Sequence, residues 1–476
     1  MKGHLIVSGF ALTLIVAYLK LSSHGRCTYN AKRRSLLHSH PSREMRREIM
    51  ERQKSLLFFY KTLLGLRYTS PEQEDVLRLL EEPEMDLQVP LDRSAPSGAL
   101  TCQDLTHITG TDYIGSGFTK LVLKGTLLNG RAVALKSVHA EGNDMKRCLQ
   151  LYGDHAGCHR LATYKLQKEI ALLQILRSPG IIQLHGQCYE ESPPSGVRVT
   201  AMLELGSPLE MIQLLQAPWE ERFKICLELV QLLHYLATSP MGSIALLDFQ
   251  PRQFVLVNGS LKVTDMDDAT SDELACSSDA DCALAFPART FNVPCAVTGV
   301  CTGANEKRNL YNAYRFFFTY LLPHASPPAL RPLLQEIMNA TGDLHFGIHE
   351  TLKAFEDVLE FYKSGMNQSQ APALRDYTVL KGFRMNDSSG DFRCWPSYHY
   401  QGCLLSVHSA AEAAEFCNSL PHCQSFVIGR QRTWTSRHLA AFTRNSAQLV
   451  PDDDSCVYVK RSGDEETLGV QDIQHG

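Results

Sequence analysis

Two apolar-rich, β-prone runs parted by a polar turn pair predict a hairpin over residues 254–264. Phe254 to Val257 and Leu261 to Thr264 are β-prone runs, and Asn258-Gly259 between them tolerates positive φ at both central positions. A hairpin of this kind draws the ends of its strands together, which places Asp248, after an apolar run, and Asp265, at the hairpin's end, to converge on one ligand. Further strands are predicted at Lys120 to Gly125 and Ala132 to Lys136, joined by a turn at Leu128 to Gly130, and at Ile181 to Cys188 and Val197 to Leu203.

Helical periodicity runs from about Leu161 to Arg177, carries Glu169, and stops at Ser178-Pro179-Gly180. A longer helix spans Trp219 to about Ser239, with Pro218 as its first residue and Phe223, Cys226, Leu227, Val230, Leu233 and Leu236 as a core-facing stripe. Helices at Asn305 to Leu322, Pro328 to Asn339 and Ile348 to Ser364 complete an α-rich lobe. Near the start, Arg46, Arg47, Arg52 and Lys54 alternate with Ile49, Leu56, Tyr60 and Leu63, as in a stem helix packed on the next domain.

The apolar run Leu5 to Leu19 behind Lys2 and His4 reads as a signal peptide, or else as an uncleaved signal anchor. Fifteen cysteines, many closely spaced, suit a disulfide-permissive compartment, and an odd number leaves at least one outside intrachain pairs. Asn258, Asn339, Asn367 and Asn386 open glycosylation sequons. Cys276, Cys282, Cys295 and Cys301 read as two disulfides of undetermined pairing, rather than a metal site, because no histidine stands among them. A net charge of -4 gives no reason to expect nucleic acid as a partner. The expected domains are a leader or anchor over 1–25, a stem helix and linker over 26–100, a catalytic domain over 101–364, a linker over 365–390, a cysteine-rich module over 391–462 and a polar tail over 463–476.

Candidate chemistry gathers in a few motifs. Ile114-Gly115-Ser116-Gly117-Phe118-Thr119-Lys120 has the makings of a phosphate-covering loop, and Val133-Ala134-Leu135-Lys136 follows at the spacing of a phosphate-pairing lysine. With Leu246 to Val257, Leu261 to Ala269 and Asn305 to Pro323, these motifs resemble protein kinases, and specifically the vertebrate lonesome kinase (PKDCC) family of secreted tyrosine kinases.

The resemblance implies an α+β, bilobal protein-kinase-like fold with a small disulfide-rich C-terminal module. It implies an ATP-dependent enzyme using Mg²⁺ or Mn²⁺, resident in the Golgi lumen and secreted, acting on secreted and extracellular-matrix proteins, and touching a membrane only through an uncleaved anchor. Lys136 would hold nucleotide phosphates, Glu169 would fix Lys136, Asp248 would orient the substrate hydroxyl, and Asp265 and Gln253 would bind metal. Ile114, Gly115, Ser116, Gly117 and Glu204 would line the nucleotide, and Arg252, four residues after Asp248, leans towards tyrosine.

Departures from ordinary kinases are Leu246-Leu247 in place of His-Arg, Gln253 in place of Asn, Asp265-Met266-Asp267 in place of Asp-Phe-Gly, and Lys120 at the third glycine. They define the alternatives: a secreted pseudokinase acting as a binding protein, or a luminal glycan kinase.

Overall fold

The computed structural model describes residues 41–67, 99–192, 196–365, 373–385, 393–399, 401–444 and 448–461. The leader, Cys27, most of the 67–100 linker, Asn367, Asn386 and the 463–476 tail lie outside them. No helix among the described residues is long and apolar enough to cross a membrane. The chain forms two compact units, one of residues 1–177 with 183–205 and one of residues 178–182 with 206–476.

In the first unit, helix α1 (Pro41–Arg67) buries Met45, Leu56, Phe59, Tyr60 and Leu63. Leu56, Tyr60 and Leu63 belong to the predicted stripe of the stem helix and Ile49 is only partly buried, while Met45 and Phe59 extend the buried face, and the helix packs on a neighbour inside the unit. A five-stranded antiparallel sheet follows, ordered β1-β2-β3-β5-β4, from β1 (Thr109–Ser116), β2 (Lys120–Thr126), β3 (Ala132–Val138), β4 (Leu184–Ser192) and β5 (Gly196–Glu204). Helices α2 (Asn143–Tyr152) and α3 (His155–Ile175) lie between β3 and β4 and are joined by the Cys148–Cys158 disulfide. Arg52 of α1 donates to the Leu161 carbonyl of α3 at 2.9 Å.

The chain enters this unit beside β4. A parallel bridge joins Leu100 to Gly186, and a Cβ at Gly186 would lie 2.0 Å from the Leu100 carbonyl oxygen, so only glycine permits the approach. The Cys102–Cys188 disulfide locks the same junction. The fourth strand begins three residues later than the sequence predicts. Ile181 makes only a single bridge, to Val263 of the second unit's hairpin, because Pro179-Gly180 turns the chain just before it.

The second unit starts with β6 (Ser207–Pro208), α4 (Met211–Gln216) and α5 (Trp219–Ala237), where Pro218 is the N-cap rather than the first helical residue. All six residues of the predicted α5 stripe are buried, Cys226 among them as a free thiol. Next come β7 (Ala245–Leu246), β8 (Phe254–Val257), β9 (Ser260–Val263) and β10 (Ala269–Thr270), then β11 (Ala283–Phe286) and β12 (Arg289–Asn292). Helix α6 (Ala304–Ala313) passes through a π turn at Tyr314–Phe318, and α7 (Arg331–Gly342) and α8 (Ile348–Ser364) follow. Phe223, Phe254, Phe317, Phe318 and Phe355 are fully buried together in this helical body.

The same unit ends in a five-stranded antiparallel sheet, β13 (Tyr377–Met385), β14 (Cys403–Val407), β15 (Ser425–Arg432), β16 (His438–Thr443) and β17 (Leu449–Lys460), with α9 (Ala410–Ser419) packed on one face. The strand order is β13-β17-β15-β16-β14. Its first strand comes from residues assigned by sequence to the 365–390 linker. β13 is an edge strand that buries only Tyr377 and Met385, and its apolar residues stand between the polar runs Asn367 to Gln370 and Asn386 to Asp391 that set the linker reading. Disulfides Cys394–Cys403 and Cys417–Cys423 staple this sheet, and Cys456 is free.

Candidate active site

In the first unit, Lys136 and Glu169 meet as the sequence order requires. Lys136 stands near the end of β3 and Glu169 on the buried face of α3, and the ammonium lies 2.6 Å from Oε1. Lys120, at the start of β2, donates to Oε2 of the same carboxylate at 2.5 Å. All three side chains are almost fully buried.

The glycine-bearing loop between β1 and β2 contains Gly117 and lies just beyond Ile114, Gly115 and Ser116 of β1. It is closed by a Gly117 N–H bond to the Lys120 carbonyl at 2.8 Å. Thr119 donates to Asp144 at 2.5 Å, and Lys165 donates to the same carboxylate at 3.1 Å. The helix inserted after β3 therefore holds the loop's C-terminal shoulder. Glu204, at the end of β5, accepts from the Gln183 backbone N–H at 2.7 Å, so its side chain braces the β4–β5 pair.

In the second unit, the hairpin is as the two β-prone runs and the Asn258-Gly259 turn predict. Asn258 and Gly259 take φ of 52° and 75°, the positive values of a type I′ turn, and β8 pairs with β9 from Phe254↔Val263 to Val257↔Ser260. At its mouth, Thr264 donates its N–H to the Gln253 carbonyl at 2.8 Å, one residue before Asp265. Strand β7, two residues before Asp248, pairs with β10, four residues beyond Asp265. Two short pairings thus fix the segments carrying the two aspartates.

Asp248 is densely coordinated. Gln250 donates to Oδ1 at 2.8 Å, Arg252 donates to Oδ2 at 3.2 Å, and the Gln253 amide donates to Oδ2. Three donors orient the carboxylate. Beneath the loop, Phe249 is buried against Phe254 and Phe317, with centroids 5.4 and 6.2 Å away. Met266, where kinases carry Phe, is also buried.

Sequence reasoning missed three parts of this arrangement. Asn309 of α6 accepts from the Leu246 N–H at 2.9 Å and donates to the Ile244 carbonyl at 2.7 Å, and Asn305 donates to the Ser243 carbonyl at 2.9 Å. These buried amides clamp the strand that leads into Asp248. Their signal was the i, i+4 spacing that puts both asparagines on one face of α6. The hydrogen bond of Gln250 to Asp248 and that of Lys120, read in the sequence only as a substitution at the third glycine position, to Glu169 are the other two.

The expected disulfides form as Cys276–Cys295 and Cys282–Cys301, flanking the β11–β12 hairpin. The sulfurs of Cys276, Cys282 and Cys295 lie within 4.8 Å of one another, but bonded as disulfides they offer no thiolate to a metal. Phe286 and Phe291 of that hairpin pack against Tyr311 of α6 in tilted and edge-to-face geometry, centroids 4.3 and 4.9 Å away, seating the segment on the helical body. Asn258 is exposed at the hairpin turn, whereas Asn339 lies within α7, and the Thr341 hydroxyl of its sequon is buried and donates to the Ile337 carbonyl at 2.7 Å.

Residues 165–341 match the protein-kinase domain of FAM69. A 31% share of the chain is 27% identical to 13% of the probable LRR receptor-like serine/threonine-protein kinase RFK1 of Arabidopsis thaliana. Among solved structures, the pseudokinase DRIK1 bound to ENMD-2076 aligns with 55% of this chain and 97% of its own, at 15% identity and a TM-score of 0.37. The human extracellular tyrosine-protein kinase PKDCC is 52% identical over 370 residues, covering 77% of this chain and 75% of its own. The chain belongs to the family of the extracellular tyrosine-protein kinase PKDCC.

Proposed function

We propose that this chain transfers the γ-phosphoryl group of ATP to tyrosines of luminal and extracellular proteins, as a secretory-pathway enzyme that passes the Golgi lumen and is secreted. The observation that carries this reading is the buried Lys136–Glu169 ion pair. Phosphoryl transfer demands positioning and charge neutralisation more than covalent chemistry, and a lysine fixed by a glutamate is the protein's standing contribution to the first. In this reading Lys136 holds nucleotide phosphates, and Ile114, Gly115, Ser116, Gly117 and Glu204 border the nucleotide.

Asp248 accepts the hydrogen bond of the substrate hydroxyl and receives its proton as the bond to phosphorus forms. Its ring of Gln250, Arg252 and Gln253 donors keeps the carboxylate oriented for that. In this reading Arg252, which donates to Asp248 from four residues beyond it, favours a tyrosine as the acceptor. Carboxylate and amide oxygens are the hard donors that Mg²⁺ or Mn²⁺ prefers, so Asp265 and Gln253 fit as metal ligands. A bound metal would neutralise phosphate charge.

The test is transfer from labelled ATP by the purified secreted protein and by its Asp265→Ala and Asp248→Asn variants. Losses of at least about 10³-fold with secretion intact are expected. ATP binding with no transfer by the wild type would mark a silent binding protein instead.

A further inference from the structure

Lys120 occupies a position where the glycine loop of kinases ends in glycine, and its side chain does not project into solvent. In the β2–β3 register Val122 faces Lys136, and Lys120 stands two residues before Val122 on the same strand. Alternation along a strand puts Lys120 and Lys136 on one face as diagonal neighbours. Two ammonium groups so placed repel each other unless an anion lies between them. Glu169 is that anion, with Lys136 on Oε1 at 2.6 Å and Lys120 on Oε2 at 2.5 Å, and the three groups sum to a formal charge of +1.

Stability gives little reason for the second lysine. Glu169 has a partner in Lys136 already, and buried ion pairs contribute little to stability over apolar replacements of similar volume. The backbone of Lys120 supplies another reason, because its carbonyl closes the loop through the Gly117 N–H at 2.8 Å. One residue therefore ties the loop to the carboxylate that orients Lys136.

We propose that Lys120 is a positioning residue for nucleotide binding, joining the glycine-bearing loop to Glu169 and confining that carboxylate to a single orientation towards Lys136. The proposal rests on the kinase reading above. Without Lys120, Glu169 can turn both oxygens onto Lys136 and draw the ammonium away from phosphate, while the loop loses its inward anchor. The effect falls on the affinity for ATP rather than on the chemical step.

The experiment compares the full secreted chain with Lys120→Met and Lys120→Arg, reading KM for ATP, kcat, and direct binding of a fluorescent ATP analogue with Mg²⁺. Lys120→Met is expected to raise KM and weaken analogue binding by about tenfold or more with kcat within about threefold, and Lys120→Arg to restore most of the affinity. An unchanged KM and unchanged binding in Lys120→Met, or equal impairment of the Met and Arg variants, would overturn the role. Should the Met variant not be secreted, Lys120→Gln, of similar length and without charge, is read against the same outcomes. A wild type that binds the analogue but transfers nothing defeats the kinase reading alone, since analogue binding still reports on Lys120.

Discussion

Gln253 donates its side-chain amide to the Asp248 carboxylate, five residues earlier in the chain and on the rim of the same hairpin. The extra methylene that distinguishes Gln253 from the usual asparagine lets one residue reach Asp248 while its backbone carbonyl holds Thr264. Shortening it removes a hydrogen bond to a charged group, which is worth about 1.5–3 kcal/mol. Gln253→Asn is therefore expected to lower kcat by about 10- to 100-fold. Steady-state kinetics at saturating ATP checks it, and wild-type kcat would show that the longer arm is incidental.

A second prediction concerns the junction between α5 and the C-terminal sheet. Glu220 in the first turn of α5 is 2% exposed and accepts from three hydroxyls, Thr435 at 2.6 Å, Tyr398 at 3.0 Å and Tyr362 at 3.2 Å. Beside it Arg437 lies over the Tyr362 ring at 4.2 Å and donates from one nitrogen to both carboxylate oxygens of Glu412 at 2.6 Å. Removing one member leaves buried polar groups unpaired. Arg437→Met is expected to cost roughly 3 kcal/mol of unfolding free energy. Urea denaturation of the secreted chain measures it, and a change under about 0.5 kcal/mol would contradict the picture of a coupled network.

Alkaline pH should act on the same junction. Burial, followed by the negative charge of Glu220, pushes the Tyr398 phenol far above its ordinary value. Burial also raises Tyr362, against an opposing pull from Arg437. Because the folded chain favours the protonated phenols, their contribution is complete below about pH 10, where unfolded tyrosine titrates, and declines as pH rises beyond it. The unfolding free energy of the wild type should fall more steeply between pH 10 and 11 than that of Tyr398→Phe, by up to about 1.4 kcal/mol per pH unit. Equal slopes would contradict the assignment.

The 276–301 segment is stapled twice, and Cys282 and Cys301 are buried in its small core. With Leu247 in place of the usual arginine before Asp248, a phosphate on this segment lacks its customary docking cation, and we hold that the disulfides order it instead. A paired Cys282→Ser, Cys301→Ser variant should lose about 3 kcal/mol of local stability and most of its activity. Limited proteolysis within 276–301 reads the first and phosphate transfer the second. Unchanged protection and activity would refute the idea.

What the sequence revealed was local. Asn258-Gly259 announces its hairpin because the turn's φ values are a property of those two residues, and Val133 to Lys136 announces a strand by composition. The Lys136–Glu169 contact was legible because the order of elements in a kinase fixes it. Glu220 was not legible: a glutamate in a helix's first turn ordinarily faces water, and its partners Tyr362, Tyr398 and Thr435 lie 142, 178 and 215 residues away. Lys120 was hidden for a related reason. Its inward direction follows from the β2–β3 register, which no spacing motif encodes. Disulfide partners were equally out of reach, since four cysteines admit three pairings.

Phosphoamino-acid analysis tests the central claim most directly. The purified secreted protein is incubated with labelled ATP, Mg²⁺ or Mn²⁺ and a mixture of extracellular matrix proteins, beside its Lys136→Met variant. Tyrosine phosphorylation of the mixture by the wild type, reduced at least about 10³-fold in the variant, is the predicted result. Label confined to serine, threonine or glycan, or no label at all despite ATP binding, would contradict it.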